Sequence, residues 1–264
     1  MSTIKANKVG LSSSLDATMK EGHDMKVFGF GTLAKTMSDK DTYGSFVTSL
    51  HAIYTEMEAG MDEVVKAGGG GVEGVWSEYG EILRREPGIR KDLADVGVAV
   101  PKTWEDDDDF SFLTPATADY VNRIREARDK DLRDGGGRLV GHLYCRYLAD
   151  LFGGQQLSTP TRLALGLDGN PKMYEFDLGL GRKDFIEGLY VSINRVGDGM
   201  LDEQRKVIVE EAAECFELNK RLYAEGGGIY GGSLRAGWNL MKGFGKQFKP
   251  SFGNPYARGP EKGR

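Results

Sequence analysis

Asp150, Gly153 and Gly154 are the residues of this 264-residue chain whose types and spacing speak most directly of chemistry. They close the run Gly141-His142-Leu143-Tyr144-Cys145-Arg146-Tyr147-Leu148-Ala149-Asp150-Leu151-Phe152-Gly153-Gly154-Gln155. Leu139, Val140, Leu143, Tyr144, Tyr147, Leu148 and Leu151 recur with the period of a helix. An interior glycine costs such a helix about 1 kcal/mol relative to alanine. Two in succession predict a kink where side chains are absent and something flat can lie against the backbone. Asp150, one turn earlier, places an ionisable group at the rim of that bare patch.

Three histidines are candidate ligands for a metal: His23, His51 and His142. Leu15, Met19 and His23 fall at i, i+4 and i+8, so His23 points inward, whereas His51 and His142 lie off the strongest apolar faces of their helices. Two other patterns are weaker. Gly69-x-Gly71-x-x-Gly74 has the form of a dinucleotide loop, but no strand precedes it, and it reads as a flexible linker. Asp106–Asp109 lacks the alternate-residue spacing of a calcium loop and reads as a solvated acidic loop.

The elements that must position these residues are helical. Segment 38–58 carries Tyr43, Phe46, Val47, Leu50, Ile53, Tyr54 and Met57 as one apolar stripe, with Ser38 and Asp41 as a capping box. Ser13 with Asp16 opens a shorter helix. Thr114-Pro115 is an N-cap followed by a first-turn proline, starting a helix with Tyr120, Val121, Ile124 and Ala127 inward. A late helix spans about 202–225, with Val207, Ile208, Ala212, Cys215, Phe216, Leu222 and Tyr223 inward. No alternation of strand type is long enough to matter, so the fold class is all-α, a single-domain bundle of seven to nine helices.

A net charge of −5 argues against general nucleic-acid binding, and 39% hydrophobic residues suffice for a substantial core. Cys145 and Cys215 sit within helical patterns and form no disulfide framework, which fits a reducing compartment. No early apolar run has signal-peptide length, and none approaches the roughly 20 apolar residues of a spanning helix, which points to a soluble intracellular protein. From Gly227 onward the chain changes: seven basic residues stand against the single acid Glu261. Leu234, Trp238, Met241, Phe244 and Phe248 can line one face of a short basic helix there, which fits docking on the bundle or plain disorder better than membrane-surface contact. The expected division is an extension at 1–11, a helical domain at 12–226 and a basic, glycine-rich tail at 227–264.

The order tyrosine, arginine, tyrosine, leucine, small residue, Asp150, Leu151, then Gly153-Gly154-Gln155 resembles the distal-helix signature of haem oxygenases. Ala17-Thr18-Met19-Lys20-Glu21-Gly22-His23 is similar to the family's first-helix segment, as are Ser49-Leu50-His51-Ala52-Ile53-Tyr54 and Val209-Glu210-Glu211-Ala212 with Phe216 and Asn219. The resemblance implies a haem oxygenase-like helical bundle in which haem is both cofactor and substrate. It is opened to biliverdin with release of CO and ferrous iron, using O2 and external electrons. It further implies that His23 is the axial iron ligand, that Gly153 and Gly154 form the open distal wall, and that Asp150 with Tyr54 manages protons. Lys20, Tyr144, Ala149 and Phe216 are implied to contact haem. Electrons would come from a ferredoxin or a flavoprotein reductase, in the cytoplasm or the plastid stroma.

The pattern departs from the family at named positions. Ala149 replaces a common glycine, and Phe152 replaces a small residue. Asp16 stands where a second lysine is usual, one turn before Lys20; Glu187 and Val191 stand where the late helix usually supplies lysine and arginine to the haem propionates. These departures motivate a second reading, a non-catalytic haem carrier or sensor, which intact Asp150-x-x-Gly153-Gly154 disfavours.

Overall fold

In the computed structural model, residues 5–21, 36–101, 103–104, 113–179 and 181–225 are described. Among them there is no strand, in line with the all-α expectation. Nine α-helices lie among the described residues, in chain order: α1 (Gly10–Glu21), α2 (Lys40–Lys66), α3 (Gly70–Leu83), α4 (Glu86–Asp95), α5 (Pro115–Asp134), α6 (Arg138–Ala149), α7 (Gln155–Leu165), α8 (Arg182–Asp198) and α9 (Asp202–Glu225). His23, Asp106–Asp109 and the tail from Gly227 lie outside the described residues, as do the side chains of Met19 and Lys20.

Local chemistry sets the helix ends, and in places it corrects the sequence expectation. Asp39, not Ser38, caps α2 by accepting from the Thr42 amide at 2.7 Å, and Ser38 instead donates to Asp39. The helix then runs eight residues past the expected end, because Met61 and Val64 continue the buried stripe. Likewise α1 begins at Gly10 rather than Ser13, with Leu11 buried in its first turn. Thr114 caps α5 as expected, accepting from Thr117. Gly68 to Gly71 is not a flexible linker: Gly69 is the N-cap of α3, one residue after a left-handed turn at Gly68. Val207 and Tyr223 of α9 are only half-buried, at the edge of its inward face.

Helix α2 is the axis of the bundle, packed on α3, α4, α5 and α6, while α6 lies along α9. The α6–α9 crossing is unusually close. A Cβ on Gly141 would stand 2.9 Å from the Ile208 carbonyl oxygen and 3.0 Å from the Ala212 nitrogen. Glycine there allows one backbone onto another, and it sets Cys145 and Arg146 against Cys215 and Asn219. The buried Asp131 carboxylate caps the start of α6, accepting from the Arg138 and Leu139 amides at 2.9 Å each.

Ahead of α1, a short 3-10 turn at Ala6–Lys8 docks on α8. Glu187 accepts from the amides of Lys5 and Ala6, and Asn194 binds the Ala6 carbonyl and the Ser12 amide. Asn7 reaches Asp16 at 2.7 Å. The unexpected acids Asp16 and Glu187 are therefore engaged in holding this segment.

Candidate active site

Helix α6 does not stop at Ala149. Asp150–Gly154 form a single π-helical turn that leads directly into α7. Such turns insert extra backbone into a helix and recur at functional sites. The kink expected from Gly153-Gly154 thus takes the form of a widened turn rather than a break.

The turn brings Asp150 to Tyr54. Tyr54 is fully buried on α2, and its hydroxyl donates a short hydrogen bond to the Asp150 carboxylate. Burial pushes the phenol pKa well above its ordinary value, so Tyr54 stays the donor. Burial also raises the Asp150 carboxyl above the usual carboxylate range, against the opposing pull of Arg146 and the Tyr54 hydroxyl. A carboxyl held in that range can carry a proton nearer neutrality than an exposed one.

Sequence reasoning did not single out the next layer. Arg146, on the preceding turn from Asp150, lies 5.1 Å over the Tyr54 ring and donates to Asn219 of α9 at 2.7 Å. Arg146 is buried, and its Nε has no hydrogen-bond partner. The signal was present in the spacing, since Arg146 and Asp150 are four apart on one face. The partner Asn219, some seventy residues away, needed the α6–α9 crossing.

Gly153 faces open space: a Cβ there would meet nothing within 4 Å. The protein's own packing does not require glycine at this exposed position, so the bare surface is available to a ligand. Gly154 is different, because its Cβ would come 3.1 Å from the Tyr174 ring, which backs the turn. Phe152 remains 40% exposed beside Gly153, an apolar rim suited to a flat hydrophobic molecule. Ala149 is exposed and Phe216 buried.

The structure separates other expected residues from this cluster. Tyr144 is fully buried on α6, and its hydroxyl donates to Asp16. His51 and His142, expected off the apolar faces, are both buried in polar pairs. Trp104 donates to His51 Nδ1 at 3.1 Å, so His51 Nε2 carries the proton that faces Glu86, also at 3.1 Å. Burial pulls the His51 pKa down, and the ring is neutral. His142 Nε2 lies 2.9 Å from Glu211, which Arg123 also clamps.

A family model described as Heme oxygenase matches residues 11–225. The chain belongs to the haem oxygenase family. The heme oxygenase of Pyropia yezoensis is 30% identical over 71% of this chain and 72% of its own length. That of Rhodella violacea is 29% identical over 71% and 73% respectively. Heme oxygenase-1 of the cyanobacterium Synechocystis, solved in complex with heme, shares the fold at a TM-score of 0.64. It is 24% identical and covers 90% of this chain and 97% of that one.

The residues of this haem oxygenase fit a flat tetrapyrrole on the described side. An exposed glycine wall has room in front of it, an apolar rim flanks it, and a paired tyrosine and carboxyl stand one turn behind. No described helix of this haem oxygenase is long and apolar enough to cross a membrane.

Proposed function

We propose that this haem oxygenase opens haem to biliverdin with release of CO and ferrous iron, consuming O2 and electrons from an external donor. The observation that carries the reading is the Tyr54–Asp150 hydrogen bond set one turn behind the open face of Gly153. Bound haem supplies both the iron that activates oxygen and the ring that is opened. The chain's own residues do the rest. Gly153 leaves the exposed face of the turn bare, so no side chain would crowd a ring bound there, while Gly154 lets the Tyr174 ring pack close behind it. Asp150 holds a proton behind that face, and Tyr54, steadied by Arg146, fixes which carboxylate oxygen is engaged.

By the family resemblance His23 would hold the haem iron, and His51 and His142 are already engaged with carboxylates inside the bundle. By the same resemblance Lys20 would meet a propionate, and Phe216 and Ala149 would border the ring. Tyr144 reaches a propionate only if Asp16 releases its hydroxyl. A carrier would bind haem without needing the Tyr54–Asp150 pair.

Residues 12–226 form the catalytic domain in this reading. The basic tail 227–264 offers a positive strip for an acidic ferredoxin, a flavoprotein reductase or a membrane surface, in the cytoplasm or plastid stroma. The deciding experiment adds haemin, follows the Soret band, then adds ascorbate or reduced ferredoxin. Loss of the band with rise of biliverdin absorbance supports the activity. A stable Soret band with no biliverdin overturns it in favour of a carrier.

A further inference from the structure

Arg146, Asn219, Tyr120 and Cys215 form one hydrogen-bonded chain whose direction follows atom by atom. A guanidinium only donates, so Asn219 turns its carbonyl oxygen to Arg146, 2.7 Å away. The amide nitrogen of Asn219 must then face the other side. There it donates to the Cys215 carbonyl at 2.9 Å and points at the Tyr120 hydroxyl oxygen at 3.4 Å. With its oxygen accepting, Tyr120 directs its hydrogen at Cys215 Sγ, 2.7 Å away. One line of donation thus runs from Arg146 through Asn219 and Tyr120 to the sulfur, while the second Asn219 amide hydrogen goes to the Cys215 backbone carbonyl. Cys215 and Asn219 are one turn apart on α9 and share this face.

That acceptor lies in the dry interior of the bundle. Cys215, Tyr120 and Asn219 are all buried, the first two completely. Across the sulfur stands His142, whose Nδ1 has no hydrogen-bond partner of its own and whose Nε2 is tied to Glu211. Burial raises the thiol pKa, but the Cys145 thiol, the His142 imidazole and the Tyr120 hydroxyl outweigh it and hold it low. A sulfur with anionic character is the stronger acceptor, and linked donors reinforce one another.

We propose that Cys215 is a positioning residue for the Tyr54–Asp150 pair: its sulfur terminates the Arg146–Asn219–Tyr120 chain and so holds the Arg146 guanidinium over the Tyr54 ring. The proposal rests on the reading of Tyr54 and Asp150 as the proton-handling pair. Its consequence is that a residue with no contact to haem sets the rate of ring opening without setting haem affinity.

The test compares Cys215→Ala, Cys215→Ser and Tyr120→Phe, with Leu218→Ala as a core control. Two measurements are made on each protein. The first is solvent exchange of the Arg146 Nε–H resonance in haem-free, 15N-arginine-labelled protein, assigned with Arg146→Lys. The second is haem affinity by Soret titration alongside kcat for biliverdin formation. Cys215→Ala is expected to speed the Nε–H exchange about five-fold and lower kcat about three- to ten-fold, with haem affinity within about two-fold. Cys215→Ser, which restores an acceptor, recovers at least about half of both losses on that scale. Tyr120→Phe produces the same loss and does not add to Cys215→Ala, while Leu218→Ala leaves the exchange unchanged. Wild-type exchange in Cys215→Ala, a serine variant no better than alanine, or additive losses would each overturn the proposal. If the wild-type protein binds haem without opening it, the proposed function fails, and the Arg146 exchange still decides the role of Cys215.

Discussion

Asp150 and Tyr54 are a pair in which each controls the other's proton. Asp150→Asn keeps the shape but removes the titrating group. Haem affinity should stay nearly unchanged while biliverdin formation falls about a hundred-fold, at the low end of general acid–base contributions. Equal yields from the two proteins would remove Asp150 from the proton path. Tyr54→Phe removes a donor that stabilises the carboxylate, so the Asp150 pKa, already raised by burial, should rise further. The limb of the pH–rate profile that requires protonated Asp150 should therefore move to higher pH. A profile that stays in place would show that the Tyr54 hydroxyl does not set this ionisation. His23→Ala should abolish the normal ferric spectrum, with partial recovery on adding imidazole. Retention of the Soret band in that variant would reassign the ligand.

Glycine substitutions test how the helices are placed, because Gly153 and Gly141 on the same run stand in opposite surroundings. At Gly153 a methyl group meets nothing. Gly153→Ala should leave the haem-free protein as stable as wild type, or up to about 1 kcal/mol more so through helix propensity. Its effect should fall on haem binding or turnover instead. At Gly141 the methyl would press on backbone atoms of α9 at 2.9 and 3.0 Å, which no side-chain rotation can relieve. Gly141→Ala should cost about 1–3 kcal/mol, read as a lower Tm in the absence of haem. Should the two variants show the same stability, the close α6–α9 crossing is wrong, and with it the placement of Arg146 against Asn219.

For the molecule as a whole, buried carboxyls make stability depend on pH. Glu58 is buried between α2 and α4, accepting from the Arg85 amide at 2.6 Å and the Tyr147 hydroxyl at 3.1 Å. Burial pushes its pKa up to about 7, despite those hydrogen bonds. The folded state thus binds this proton more tightly than the unfolded chain. The stabilisation is complete below the ordinary glutamate range and is lost as pH rises through about 7. Glu58→Gln keeps an acceptor oxygen without the charge. Between pH 5 and 8 its unfolding free energy should fall less than that of wild type, by a difference of up to about 3 kcal/mol. Denaturant melts at the two pH values check this, and parallel slopes would mean that Glu58 is not buried as a proton carrier. The tail 227–264 acts at the same scale. If it recruits an acidic donor, truncation after Gly228 should spare ascorbate-driven turnover and weaken ferredoxin-driven turnover at low salt, where screening is least.

What the sequence determined by itself was local. Apolar periodicity placed α2, α5, α6 and α9, because a helix must bury one face whatever covers it. The Thr114-Pro115 start was legible for the same reason, since a cap acts within one turn. The double glycine marked a departure from regular helix, because helix propensity alone makes it anomalous. Tyr54 and Asp150 were paired only through resemblance to a family; the contact joins residues ninety-six apart and depends on how α2 meets the π turn. Long-range pairing decided the remainder. Spacing could not reveal that His51 and His142 are consumed by Glu86 and Glu211, or that Asp16 and Glu187 hold the N-terminal segment. Nor could it show that Arg146 reaches Asn219, because that bond exists only where Gly141 lets α6 and α9 touch backbone to backbone. Periodicity records which face of a helix is buried, and only the tertiary structure supplies the partner on the other side.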